Sequence, residues 1–175
     1  MAPDVLGNCV PDIAAVRLLG QRPRWRRILL LSVAALVALF ALIQAVPYGR
    51  SHSNPPVTQE PKWDSSQTRA LAARACFDCH SNLTTWRWYS NIAPVSWLVQ
   101  RDVDGGRSAL NFSEWNKPMD SSAGDVTEAI RGGSMPPWFY VLLHSSAKLS
   151  SAEKDALIRG LEVTFAASPP KGGGG

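Results

Sequence analysis

The sequence predicts an all-α fold with long loops, preceded by one transmembrane helix. Two observations lead to this prediction. An uncharged apolar run occupies residues 28–46 and reads ILLLSVAALVALFALIQAV. Beyond it, apolar residues recur at helical spacing in short segments between glycines and prolines, and no segment shows the sustained alternation of a strand. We therefore expect short helices joined by irregular backbone.

The apolar run has the length and charge pattern of a membrane anchor. At a rise of about 1.5 Å per residue it approximates a hydrocarbon core of about 30 Å. Arginines at positions 22, 24, 26 and 27 precede it and only Arg50 follows closely, so the positive-inside rule places the N-terminus in the cytoplasm. A cleaved signal peptide is the alternative, although its apolar region is usually only ~7–15 residues long. We expect an uncleaved single-pass protein of the cytoplasmic membrane, with everything after the anchor in the periplasm or another extracytoplasmic space.

Composition divides the chain further and excludes one class of partner. The net charge of +4 arises within the first fifty residues, where six arginines face two aspartates, and the remainder is formally neutral. This basicity belongs to membrane insertion, so no nucleic-acid partner is expected. The predicted parts are a cytoplasmic tail (1–27), the anchor (28–46), a Pro- and Ser-rich linker (47–62), a folded domain (63–167) and a flexible tail (168–175).

Capping residues and glycines delimit four helices in the domain. The last of them opens with the capping-box sequence Ser150-Ser151-Ala152-Glu153. The helices are predicted from a cap at residues 64–66 through Ala75, from Pro94 to Gly105-Gly106, from Asp125 to Arg131 before Gly132-Gly133, and from Ser150 through an apolar stripe ending at Phe165.

The pentapeptide Cys76-Phe77-Asp78-Cys79-His80 indicates the chemistry of this domain. Its spacing, C-x-x-C-H, is that of covalent attachment of a c-type haem. Cysteines three positions apart lie on one side of a helical turn, so both sulfurs reach one porphyrin edge, and His80 follows where its imidazole can bind the iron. The motif predicts one covalent haem c per chain. A porphyrin would also supply apolar surface that so small a domain otherwise lacks.

Two other interpretations of the cysteine pair are weaker. A structural zinc site needs four ligands, and beyond the motif the chain offers only Cys9, His52 and His144. A thioredoxin-like redox motif expects a βαβ pattern around it, and none is visible.

The second axial position is assigned to Met135, which would make it a metal ligand together with His80. It stands in Gly132-Gly133-Ser134-Met135-Pro136-Pro137, where glycines allow a sharp turn and prolines stiffen the backbone that projects the thioether. His144 is the runner-up, and it could instead be a structural histidine. Met119 and His52 are weaker candidates.

Further cofactor contacts are predicted from residue chemistry. Haem propionates need hydrogen-bond donors, for which we select Arg107 and Tyr89. Among the aromatic residues that could line a macrocycle, we assign Trp86 to the binding site.

The exported segment resembles the bacterial haem-binding domain family of small c-type cytochrome modules. The resemblance covers nearly all of residues 63–165 and implies a monohaem, cytochrome c-like helical domain with long loops around one covalent haem, ligated by His80 and Met135. His144 also matches the family pattern, so its role stays open. The matching residues are Cys76-x-x-Cys79-His80-Ser81-Asn82, Trp86-x-Trp88-Tyr89-Ser90, 92–98, Gly106-Arg107, 111–115, Met135-Pro136-Pro137-x-x-Tyr140, His144 and 147–150.

These expectations favour a membrane-anchored electron carrier rather than an enzyme. An iron with two protein ligands has no open position, so it transfers electrons to redox partner proteins or to a membrane electron-transfer complex. The alternatives are a haem-based enzyme or a gas or redox sensor with a displaceable sixth ligand, and an accessory haem subunit of a membrane complex.

Overall fold

The computed structural model describes residues 24–171. Within this range every regular element is a helix, which confirms the all-α prediction, and the β contacts are isolated bridges such as Gln59 with Glu114. The chain divides after Ala45 into two units. The α-helices are α1 (Arg24–Ile43), α2 (Ser66–Ala75), α3 (Phe77–His80), α4 (Val95–Ala109), α5 (Ala123–Arg131), α6 (Trp138–Leu143) and α7 (Ser151–Ala167), with 3-10 turns at Trp88–Asn91 and Ser145–Ala147.

Within the described residues, the first unit contains the helix α1. It is 20 residues long, has a mean hydropathy of 2.2 and buries none of its side chains. By length and composition it is able to cross a membrane. It covers the predicted anchor as far as Ile43 and begins within the predicted cytoplasmic tail, of which residues 1–23 lie outside the described residues. Residues 172–175 of the predicted C-terminal tail lie outside them as well.

The second unit is organised around a core between α2, α7 and the loop that follows α4. Leu157 and Leu161 of α7 are almost fully buried, together with Ala72 of α2. Rings from the loop continue this core, since Phe112 stacks on Trp115 with centroids 5.9 Å apart. Phe77, the first residue of α3, packs against Phe112 at 5.6 Å. The Cys-x-x-Cys-His motif is therefore built directly onto the core.

Local sequence signals set most helix ends correctly. Ser65 caps α2 by accepting a hydrogen bond from the Thr68 amide. Capping boxes begin α5 and α7, where the hydroxyls of Ser122 and Ser150 accept hydrogen bonds from the backbone amides three residues later. The predicted end of the second helix at Gly105-Gly106 is wrong, because α4 continues to Ala109.

A close helix contact explains why α4 continues through the glycines. A Cβ placed on Gly106 would lie 2.5 Å from the carbonyl oxygen of Cys79. The absence of a side chain lets α4 pack directly on the backbone of α3. Packing across this contact outweighs the weak helix propensity of glycine, which is about 1 kcal/mol below that of alanine.

Most of the segment predicted as a linker lies against the domain. His52 stacks on Trp86 with ring centroids 4.7 Å apart. Further along, Thr58 donates its amide to the Ser113 carbonyl at 2.9 Å. At the end of the segment, Glu60 receives two hydrogen bonds from Arg69, at 2.6 and 2.7 Å. The segment is extended, as its prolines and serines predict, but these contacts make it part of the second unit.

Candidate functional site

The cysteine motif consists of Cys76, which directly follows α2, and the single-turn helix α3. The Cys76 amide donates to the Ala72 carbonyl at 2.8 Å, and its own carbonyl accepts from the amides of Cys79 (3.1 Å) and His80 (2.9 Å). Both cysteines are free thiols and are half-buried. The chain therefore presents two unpaired sulfurs and an imidazole from five consecutive residues.

The environment keeps both thiols protonated. Burial raises the pKa of Cys76 to about 12, with a further contribution from the charge of Cys79. Burial, followed by the charges of Asp102 and Asp78, raises the pKa of Cys79 to about 11. Cysteines that act in thiol redox chemistry have lowered pKa values, so this site does not favour the thioredoxin-like alternative.

The part of the chain that the structure describes also brings together no ligand set for zinc. Among residues 24–171, no three side chains of histidine, cysteine, aspartate or glutamate lie together as a potential metal-ligand group. Zinc would need four such ligands. The predicted zinc alternative therefore has no ligand set in this part of the chain.

His80 is oriented so that one nitrogen is available to a metal. Its Nδ1 lies 3.1 Å from the carbonyl oxygen of Leu110. A carbonyl only accepts hydrogen bonds, so Nδ1 carries the proton and Nε2 keeps its lone pair. Burial lowers the pKa of the His80 imidazole, which keeps the ring neutral. In metal-ligating histidines, the ring nitrogen that does not bind the metal commonly donates a hydrogen bond to a backbone carbonyl, which orients the ring.

A buried amide network holds the loop that orients His80. Asn111 donates to the side-chain oxygen of Asn82 at 2.9 Å and accepts from the Ser113 amide at 2.9 Å. The Ser113 hydroxyl in turn accepts from the Asn82 amide. The network ties the turn after His80 to the residue next to Leu110. Sequence reasoning gave these residues no role, although Asn82 and Asn111 belong to the quoted family pattern.

Asp78, between the two cysteines, is a second residue without a predicted role. Its Oδ2 accepts from the Tyr140 hydroxyl at 2.7 Å, and its Oδ1 accepts from the Thr85 amide at 2.9 Å. The partner Tyr140 is 62 residues away in sequence, so the only signal at this position is that Asp78 lies between the two cysteines of the motif.

Met135 lies in the loop between α5 and α6. Its amide donates to the Ala129 carbonyl at 3.0 Å, and the residue is 38% exposed. Gly133 in the same loop has φ of +77°, a left-handed conformation that glycine adopts without strain. The sequence-based account of a turn followed by prolines is confirmed for the backbone. The assignment of Met135 as an iron ligand stays a prediction.

His144 is buried and both of its ring nitrogens have partners. Its Nδ1 lies 2.8 Å from the Tyr140 carbonyl, and its Nε2 lies 2.7 Å from the Tyr89 hydroxyl. The ring also stacks on the Tyr140 ring at 4.1 Å. With Nδ1 as donor and Nε2 as acceptor, this arrangement suits the structural role considered for His144.

The predicted propionate donors also have protein partners. Arg107 donates to the carbonyls of Ser81 (2.9 Å) and Ser53 (3.0 Å), and to the side chains of Asn54 and Thr84. Arg107 therefore joins the predicted linker (47–62) to the turn that follows the cysteine motif.

Tyr89 and Trp86, the other two residues predicted to contact the haem, also form hydrogen bonds with protein groups. Tyr89 donates its hydroxyl to His144. Trp86 donates its indole N–H to Asn54 at 3.0 Å and stacks on His52.

A covalently attached haem fits the chemistry of these residues. Two thiols and an imidazole lone pair are the groups that c-type attachment uses. A propionate needs a donor, and the Nε1 atom of Trp97 in α4 is a buried donor without a hydrogen-bond partner within residues 24–171. Apolar side chains that a macrocycle could cover are exposed on α4 and α6: Val95, Leu98, Trp138, Leu142 and Leu143.

Comparison with known proteins supports haem as the bound group. The model of a family described as the haem-binding domain matches residues 38–163, a range that includes the cysteine motif, Met135 and His144. No curated protein and no solved structure matches the chain.

Proposed function

Because the chain belongs to the haem-binding domain family, we propose that it is a membrane-anchored monohaem c-type cytochrome. In this proposal it transfers electrons on the outer face of the cytoplasmic membrane and is a carrier rather than an enzyme. Its helices would then enclose the cofactor in a cytochrome c-like arrangement. The observation that supports it most strongly is the pairing of a C-x-x-C-H motif with a His80 ring whose Nδ1 is bound to the Leu110 carbonyl.

Each residue of the motif has a distinct task in this proposal. Cys76 and Cys79 would hold the porphyrin through thioether bonds, and His80 would coordinate through Nε2. The bound haem supplies a one-electron couple at its iron. The Leu110 carbonyl fixes the tautomer and orientation of His80, which increases its basicity as a ligand.

Met135 is the proposed second ligand. Its thioether would be a soft ligand to the iron, and methionine together with histidine would give the haem a raised reduction potential. Of the two candidates, Met135 has a half-exposed side chain, whereas both nitrogens of His144 are engaged. This difference supports Met135.

The location of the carrier is proposed from its anchor. Arg24, Arg26 and Arg27 lie at the start of α1, which supports an N-terminus in the cytoplasm and a haem domain in the periplasm or extracytoplasmic space. An anchored domain meets its partners at a raised effective concentration. The proposed partners are redox proteins or an electron-transfer complex in the same membrane.

The test begins with the full chain made in a host competent for cytochrome maturation. Haem that stays with the denatured polypeptide, and is lost in Cys76→Ala/Cys79→Ala, supports covalent attachment. Bare-polypeptide mass without colour contradicts it. Protease protection of the haem domain in sealed inner-membrane vesicles tests the orientation.

The absorption spectrum then distinguishes a carrier from an enzyme or sensor. A low-spin oxidised form with the long-wavelength sulfur-to-iron band supports two protein ligands. Met135→Ala should abolish this band, whereas His144→Ala, which removes no iron ligand in this proposal, should leave the band present but weakened. High-spin iron that binds carbon monoxide readily in the native protein would instead favour the enzyme or sensor.

A further inference from the structure

Two side-chain hydrogen bonds join the segment after Met135 to the segment around the cysteine motif. Tyr140 donates to Asp78 Oδ2, and Tyr89 donates to His144 Nε2, both at 2.7 Å. We call this pair the tyrosine bonds. Tyr140 and His144 follow Met135 closely in sequence, whereas Asp78 and Tyr89 flank His80.

The Tyr140 bond has a fixed acceptor and a secure donor. Asp78 is held from the other side, since its Oδ1 accepts from the Thr85 amide at 2.9 Å and its carbonyl accepts from the Thr84 hydroxyl at 2.8 Å. Burial, followed by the Asp78 hydrogen bond, raises the pKa of the Tyr140 hydroxyl well above its usual range. The phenol therefore stays protonated and donates to a carboxylate, which is among the stronger types of hydrogen bond.

The two bonds belong to one block of structure. His144 donates from Nδ1 to the Tyr140 carbonyl at 2.8 Å, and their rings stack at 4.1 Å. The Tyr140 amide also donates to the Pro137 carbonyl at 3.0 Å. Residues 137–144 therefore dock as a unit, and the hydrogen bonds of the Tyr140 and Tyr89 hydroxyls attach that unit to the segment around the cysteine motif.

Met135 enters this block through two consecutive prolines. Its upstream side is glycine-rich, with Gly133 at φ of +77°, and its backbone is bonded to Ala129 of α5. The Ser134 hydroxyl donates to the same Ala129 carbonyl at 3.1 Å, so the loop is held to α5 on its upstream side. Downstream, Pro136 and Pro137 restrict the backbone between Met135 and α6, so the docking of residues 137–144 sets the other end of the loop that carries the thioether.

We propose that the tyrosine bonds position Met135 as the sixth ligand, which makes Tyr140 and Tyr89 positioning residues of the electron-transfer site. This inference rests on the proposed function, in which Met135 is that ligand. Loss of either bond shifts the equilibrium toward a state in which Met135 is displaced. An external ligand such as imidazole then competes more effectively for the same position.

The test uses the full haem-loaded chain in detergent and single hydroxyl deletions. Imidazole binding to the oxidised protein is titrated, and the sulfur-to-iron band and reduction potential are recorded. Tyr140→Phe should tighten apparent imidazole binding about tenfold, because it removes a hydrogen bond to a charged acceptor, and Tyr89→Phe about fivefold. Both should weaken the band. Tyr48→Phe is the matched control, as Tyr48 is 48% exposed and outside both bonds, and it should behave as the native protein.

The outcomes separate this inference from the function on which it rests. Imidazole affinities of Tyr140→Phe and Tyr89→Phe within roughly twofold of native would overturn the positioning role, provided that Met135→Ala abolishes the band. If Met135→Ala leaves the band unchanged, the ligand assignment itself fails. Should Tyr140→Phe not accumulate with haem, Tyr89→Phe and His144→Phe, which both remove the second bond, decide the question against the same control.

Discussion

The substitution Gly106→Ala tests the contact between α4 and the cysteine motif most directly. Its Cβ would meet the Cys79 carbonyl oxygen at 2.5 Å and the carbonyl carbon at 2.9 Å. Both are backbone atoms, so no side-chain rotation relieves the clash. The neighbouring Gly105 is the matched control, because a Cβ there meets nothing within 4 Å. Both glycines lie within α4 and gain equally in helix propensity on conversion to alanine.

The expected magnitude follows from the size of the clash. The 2.5 Å contact is about 0.9 Å shorter than an ordinary contact of 3.4 Å, so α4 must move away from α3 by most of an ångström. Overpacking of this kind costs about 2–3 kcal/mol, against a gain of about 1 kcal/mol from helix propensity. Gly106→Ala should therefore lose about 1–2 kcal/mol of stability, whereas Gly105→Ala should gain about 1 kcal/mol.

Thermal unfolding of the full haem-loaded chain, followed by circular dichroism, measures this difference. We expect a Tm about 4–8 °C lower for Gly106→Ala and about 4 °C higher for Gly105→Ala. Under the proposed attachment of haem to Cys79, the yield of haem attachment should also fall for Gly106→Ala alone, since the displaced backbone belongs to Cys79. Equal Tm values for the two variants would refute the close approach of α4 to the motif.

Three further predictions concern the support of the site. Asn111→Ala should lower the free energy of unfolding by about 1–3 kcal/mol, because it leaves the buried side-chain oxygen of Asn82 without its donor. Chemical denaturation with an unchanged m-value measures this loss, and a loss below ~0.5 kcal/mol would contradict the network. Ser150→Ala should cost about 1 kcal/mol by removing the cap of α7, and an unchanged denaturation midpoint would show the cap to be irrelevant. Hydrogen bonding from Arg69 lowers the pKa of Glu60 below 4.5, so its stabilisation is complete above that pH and is lost as the pH falls. This contribution stays below about 1 kcal/mol at so exposed a pair, and Glu60→Gln should make the stability correspondingly less dependent on pH below about pH 4.5; an unchanged pH profile there would contradict the assignment.

Residues whose signals are local were predictable in advance. The caps at Ser65 and Ser150, and the glycine stop after Arg131, each act within one helical turn, and the structure places helix ends there. The cysteine motif is equally local, since three positions along one turn place its groups together. The short helix α6 was missed, because its six apolar residues show no periodicity that distinguishes a helix from a buried loop.

Residues whose partners are distant in sequence were harder to interpret. Arg107 and Tyr89 are donors in any environment, and the sequence could not show that Ser81, Ser53 and His144 would be their acceptors. A long polar side chain forms a hydrogen bond with the nearest suitable acceptor, and folding decides which one that is. The same holds for the predicted linker (47–62), whose extended backbone was foreseen but whose contacts with the domain were not.

The sequence by itself determined the class of fold, the apolar helix and the Cys-x-x-Cys-His motif, because each depends on the spacing of neighbouring residues. The tertiary structure alone decided which nitrogen of His80 is free, why Gly106 has no side chain, and which hydroxyls join α6 to Asp78. These features require backbone segments about 30 to 60 residues apart to meet, and such meetings depend on the packing of the whole core.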